Sequence, residues 1–164
     1  MKIILAKSAG FCFGVRRAVE LTEQTAAKVA ESGGAAKVFT FGELIHNRDV
    51  VNRLREAGIA PIEALNEAQC GDYVIIRSHG VPKKIYEELE TRGINFIDAT
   101  CPFVSNIHRI VSAAYERGEQ VFIVGNPEHP ETIGINGHCG NSAIFIRSEE
   151  ELRKLEGRSG CLVV

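Results

Sequence analysis

Four large apolar residues in a row, Tyr73-Val74-Ile75-Ile76, constrain this chain more than any other stretch. Successive side chains of a strand point to opposite faces, so a run of consecutive large apolar residues with β-branched members is stable where both faces are covered, as in a parallel sheet flanked by helices. Val121-Phe122-Ile123-Val124 repeats the pattern. Around these runs the apolar residues switch to helical spacing: Val15, Ala18, Val19, Thr22, Ala26 and Val29; Val50, Val51 and Leu54; Ile85 and Leu89; Val104, Ile107, Val111 and Ala114. Gly33-Gly34, Gly58, Gly93 and Gly118 close the helical segments. Further strands are expected at Lys2–Ala6, Lys37–Phe41, Ile59–Ile62, Asn95–Asp98, Ala143–Ile146 and Cys161–Val164, and Ser148 with Glu151 forms a capping box ahead of a late helix. The alternation predicts an α/β fold of parallel-sheet domains with flanking helices.

Asn95-Phe96-Ile97-Asp98-Ala99-Thr100-Cys101-Pro102 reads as a buried strand running out into a thiol just ahead of a helix, with Pro102 suited to the first helical turn. Unpaired amides and the positive end of a helix dipole favour a thiolate at such a position, and thiolate is the form that binds metal or attacks. Gly10-Phe11-Cys12-Phe13-Gly14-Val15 repeats the arrangement after the Lys2–Ala6 run, so Cys12 is expected to be the same kind of residue. The residues with chemistry, Cys12, His46, His79, Cys101 and His129, each follow an expected strand. Ligands of open parallel sheets collect at the carboxyl ends of strands, so these five are expected to converge on one crevice.

Composition narrows the classes of function. The chain has 164 residues, 45% of them hydrophobic, enough for one ordinary domain or two small ones. With 19 Lys and Arg against 21 Asp and Glu, the net charge of -2 offers no general field for nucleic acid or an anionic membrane. No apolar run approaches the about 20 residues of a membrane span and the opening is too short for a signal peptide, so cytoplasm is the expected location. The five cysteines are an odd and scattered set, which argues against a disulfide framework and toward metal or redox chemistry.

Two thiols on separate strand ends do not complete a usual metal site, and the close pairs of a zinc ribbon or ferredoxin are absent. Cys70, Cys139 and Cys161 lack the strand-to-helix setting and are read as structural or incidental. His46, His79 and His129 can donate hydrogen bonds to phosphate oxygens beside helix starts that also favour an anion. Taken singly, each reads more readily as a satisfied connection histidine; their shared topology reverses that and favours the binding role. His108, in mid-helix, reads as packing or surface. Glu131 can shuttle protons at the mouth of the crevice or simply stabilise a helix N-terminus. An iron-sulfur reductase, a phosphate-binding module without a cluster, and a zinc or thiol-redox protein built on Cys12 and Cys101 all remain open from these residues, and iron and sulfide per chain of the complete gene product separates them.

The motifs Gly10-Phe11-Cys12-Phe13-Gly14-Val15, Ile45-His46-Asn47, Ser78-His79-Gly80-Val81, Asp98-Ala99-Thr100-Cys101-Pro102 and His129-Pro130-Glu131 stand in one order and spacing. Over its whole length the chain thereby resembles the 4-hydroxy-3-methylbut-2-enyl diphosphate reductases, also called IspH or LytB, the last enzymes of the methylerythritol phosphate route to isoprenoids. The resemblance implies a three-domain, cloverleaf-like α/β protein around a [4Fe-4S] cluster, of which residues 1–98 are a first domain and 99–164 an incomplete second one. The resemblance further implies that the Lys2–Ala6 strand is shared with a third domain. Cys12 and Cys101 match two of three cysteine ligands, and the third has no counterpart here. His46, His79 and His129 match the residues around the allylic diphosphate substrate, and Glu131 the acid that delivers protons, with His129 beside it. The implied chemistry is reductive removal of the allylic hydroxyl, with electrons from a ferredoxin or flavodoxin, and the chain by itself is expected to be an inactive fragment.

Overall fold

The computed structural model describes residues 2–7, 9–33 and 35–164. In chain order the elements are α1 (Phe13–Glu31), β1 (Val38–Phe41), α2 (Arg48–Glu56), β2 (Ala60–Ile62), a 3-10 turn (Leu65–Glu67), β3 (Tyr73–Ile76), α3 (Lys83–Thr91), β4 (Asn95–Asp98), α4 (Pro102–Glu116), β5 (Val121–Val124), α5 (Pro130–Gly137), β6 (Ile144–Ile146), α6 (Glu149–Arg153) and β7 (Cys161–Val163). They build a four-stranded sheet of order β2-β1-β3-β4 and a three-stranded sheet of order β6-β5-β7. All the pairings are parallel. The α/β fold with flanking helices expected from the alternation is therefore the one formed.

The strand period of two decides what each helix covers. Ile75 points to one face of the larger sheet, where Ala18 and Val19 of α1 and Val50 and Leu54 of α2 pack. Val74 and Ile76 point to the other, against Leu89 of α3, Leu65 and Val81. Val74, Ile75 and Ile76 are each 0% exposed and Tyr73 is half-buried, which is why the stretch carries no charged residue. In the smaller sheet Val121 and Ile123 face Val111 and Ala114 of α4 and Ile135 of α5. Phe122 faces the opposite way, lining a groove with Ile146, Leu152, Leu155 and Leu162.

Two expectations are corrected. Lys2–Ala6 is not a strand: Ile3, Ile4 and Leu5 are 79%, 77% and 83% exposed, and among the described residues no strand pairs with them. Its apolar composition is that of a strand, but a strand exists only where a neighbour takes up its backbone groups, and here none does. Cys12 accordingly follows an unpaired segment rather than a strand end. Asn95–Asp98 is a strand, but an edge one. Asn95 and Asp98 are exposed and Phe96 and Ile97 half-buried, so it is not the buried strand that Phe96 and Ile97 suggested. Gly34, expected to help end the first helix, lies outside the described residues; Gly33 carries the left-handed turn there, at φ +63°.

Candidate functional site

The carboxyl ends of the larger sheet's strands are tied together beyond the last strand pairs. Ser78 N–H and Oγ both donate to Leu44 O at 3.2 Å, and Cys101 N–H donates to Ser78 O at 2.9 Å. These bonds continue the ladder sideways into the connections after β1, β3 and β4, so His46, His79 and Cys101 are held in register by backbone rather than by their own side chains. Beyond His46, Asn47 caps α2 by accepting from Val50 N–H at 3.1 Å. His129 arrives from the smaller sheet, at the start of α5.

These connections bring three imidazoles to one place. His46 and His79 have ring centroids 4.5 Å apart, and His129 lies 5.8 Å from each. His79 is half-buried and its Nδ1 is buried without a hydrogen-bond partner. Burial pushes its pKa down from 6.5 to about 4, helped by the neighbouring His46, Arg77 and His129. Arg77 itself is lowered by burial, its Nε lacks a partner, and its guanidinium packs on Gly42. His129 uses Nδ1 to accept from Glu131 N–H at 3.2 Å, which caps its own helix. The proton of the neutral ring therefore sits on Nε2, leaving an N–H to donate elsewhere. Glu131, in the first turn of α5, is half-buried. Three rings, a half-buried arginine and a helix N-terminus make an arrangement that can receive a polyanion.

The two thiols are positioned by helix starts. Cys12 is the N-cap of α1 and Cys101 that of α4, and neither side chain caps its helix. A Cβ on Gly14 would lie 2.7 Å from Cys101 Sγ, so glycine is what lets the Cys101 thiol rest on the first turn of α1, two residues past Cys12. Arg17 of α1 secures the contact by donating to Thr100 O at 3.2 Å and Asp98 O at 3.3 Å. Two soft sulfur donors at adjoining helix N-termini suit an iron-sulfur group at two of its corners. Among the described residues, no group of three or more His, Cys, Asp or Glu side chains is arranged to hold a metal ion.

The remaining cysteines lie away from this rim. Cys161 pairs with Val121, at the amino end of β5, whereas His129 follows its carboxyl end. Cys70 precedes β3 in the same sense, its sulfur beside Gly93. Cys139 is buried with Sγ directed at the carbonyls of Ile135 and Asn136.

Sequence reasoning passed over two features. The first is the glycine face of the helix that starts at His129: Gly134 and Gly137 of α5 lie three apart and face the connection after β3. The Gly-x-x-Gly spacing behind Pro130 was its available signal. The second is His138, which stacks on His108 with ring centroids 4.1 Å apart. Nothing local marks it.

A family model described as LytB protein matches residues 3–164. A 4-hydroxy-3-methylbut-2-enyl diphosphate reductase of Thermoanaerobacter sp. (strain X514) is 46% identical over 157 residues, covering 94% of this chain and 53% of the relative. A solved (E)-4-hydroxy-3-methyl-but-2-enyl diphosphate reductase, described as the terminal enzyme of the non-mevalonate pathway, superimposes with a TM-score of 0.76 at 41% identity, over 93% of this chain and 53% of its own. The E-1-hydroxy-2-methyl-but-2-enyl-4-diphosphate reductase from Plasmodium falciparum gives a TM-score of 0.82 at 27% identity, over 92% and 46%. The chain thus spans about half the length of the relatives it matches. With the fold in agreement with these matches, the chain belongs to the LytB family of 4-hydroxy-3-methylbut-2-enyl diphosphate reductases.

Proposed function

We propose that this chain is the part of a 4-hydroxy-3-methylbut-2-enyl diphosphate reductase that binds the substrate's diphosphate, delivers a proton and supplies two of three thiolates to a [4Fe-4S] cluster. The observation that carries the reading is the meeting of His46, His79 and His129, from three connections, within 5.8 Å of one another. Residues 1–98 and 99–164 are proposed as a first domain and part of a second, each built on one of the two sheets, within the three-domain, cloverleaf-like arrangement that the resemblance implies.

The balanced reaction consumes the allylic alcohol, two electrons and two protons, breaks the C–O bond, forms a C–H bond and releases water with isopentenyl or dimethylallyl diphosphate. Cys12 and Cys101 are the residues that would hold the cluster from this chain. When bound, the cluster supplies single electrons, received from a ferredoxin or flavodoxin, and a Lewis-acidic iron for the hydroxyl. The imidazoles anchor the diphosphate, so that binding energy far from the reacting carbon orients a small substrate. His129, through its Nε2–H, donates to the anion, and Glu131 beside it holds the proton for transfer. The third thiolate comes from outside this chain.

Calorimetry with inorganic pyrophosphate tests the anion site directly. Saturable binding is expected, and His46→Ala, His79→Ala and His129→Ala should each weaken it by about tenfold, the loss of one charge-assisted hydrogen bond. Binding that is indifferent to all three substitutions would overturn the reading. After anaerobic reconstitution with iron and sulfide, and with reduced ferredoxin, the 164-residue chain is expected to show no turnover of the allylic diphosphate. Measured turnover would refute the need for a third ligand.

A further inference from the structure

Behind the three rings lies a second pair of imidazoles. His108 of α4 is 5% exposed, and its Nε2 is buried without a hydrogen-bond partner. Its ring is nearly parallel to that of His138, at 18°, and His138 Nε2 lies 3.1 Å from Val81 O. By one edge His108 presses on Gly80, the residue after His79: a Cβ there would come within 2.5 Å of His108 Cε1, and the backbone is left-handed at φ +72°. The same edge meets α5, where a Cβ on Gly134 would lie 3.4 Å from His108 Nε2, 3.5 Å from the carbonyl oxygen of His79 and 3.6 Å from the carbonyl carbon of Gly80. Gly137, one turn further along α5, sits against Pro82. One buried ring therefore touches both the turn that carries His79 and the helix headed by His129 and Glu131. Burial keeps that ring neutral, with a pKa lowered to about 4, and lowers His138 also, so the two stack without like-charge repulsion.

We infer that His108 is a positioning residue for the imidazole trio: its Cε1–Nε2 edge abuts Gly80 and Gly134 where the two backbones meet, and so fixes how the turn of His79 seats against the helix of His129. Side chains that hold a binding constellation from behind act through the geometry they impose, and the planar ring, stacked on His138 by one face and abutting Gly80 and Gly134 by one edge, has little freedom to yield. The inference rests on the reading of the trio as the anion site, but the spacing of the rings is measurable without any ligand.

The test uses the 164-residue chain, with cross-relaxation between the ring protons of His79 and His129 recorded in the ligand-free state and pyrophosphate affinity measured separately. His108→Ala is expected to lose the His79–His129 cross-peak and to weaken pyrophosphate binding by about tenfold, the scale of one misplaced charge-assisted hydrogen bond. His108→Phe, which keeps the planar volume without the nitrogens, is expected to restore both. Val111→Ala, which opens a cavity in the same helix on the side of the smaller sheet, should lower stability and move neither. If His108→Ala does not fold, His108→Leu is read by the same criteria. Retention of the cross-peak at wild-type intensity in the ring-deleting variant, or its equal loss in Val111→Ala, overturns the inference. If the wild-type chain binds no pyrophosphate, the anion-site reading falls, and the cross-peak still decides the role of His108.

Discussion

At the scale of single residues, the chemistry turns on which imidazoles are kept neutral. His79 and His108 both titrate at about 4 in the folded chain because burial disfavours the charged ring, against an ordinary 6.5. Between pH 6.5 and about 4 the unfolded chain therefore binds protons that the native one does not, so native stability is fullest above pH 6.5 and is lost as pH falls through that window. Denaturant midpoints taken from pH 7.5 down to 4.5 should fall progressively, and less steeply in His108→Phe; a flat profile in the parent chain would contradict the burial of these rings. His46, His79 and His129 were legible in the sequence because each follows a strand-like run. His108 was not, since a histidine in mid-helix looks the same whether it faces solvent or a neighbouring glycine.

At the scale of elements, α5 has the most demanding seat. It packs on the connection after β3 through glycine, and an added methyl at Gly137 would meet both Cβ and Cα of Pro82, a residue whose ring leaves the backbone no slack. Gly137→Ala gains up to about 1 kcal/mol of helix propensity but forces an overlap that costs about 1–3 kcal/mol, so a net fall in the denaturant midpoint is expected. The same variant should weaken pyrophosphate binding by displacing His129; unchanged stability would mean that α5 is free to shift. Helix boundaries and the β3 run were readable from periodicity because each answers to its own burial. The edge position of β4 was not, because strand order depends on partners far away in sequence.

At the scale of the whole molecule, protection is unevenly distributed. Among the described residues no helix is long and apolar enough to cross a membrane, and burial is concentrated where helices cover both faces of the larger sheet. The smaller sheet ends in β7, half-exposed along its length, and α6 buries no residue at all. Amide hydrogen exchange should accordingly be slowest in β1 and β3 and fastest in α6 and β7. Equal protection of both sheets would require cover for β7 that the fold as described does not supply.

The order of strand and helix, the placing of thiols and imidazoles at turns, and the absence of a charged residue from β3 were determined by local pattern, because each is a matter of how neighbouring side chains reach water or avoid it. The unpaired state of Lys2–Ala6, the closing of three rings to within 5.8 Å and the glycine contacts that admit Cys101 and His108 were decided by tertiary structure. Those features depend on surfaces that meet only after the chain has folded, and a backbone bond or a missing methyl group has no meaning until the partner across from it is in place.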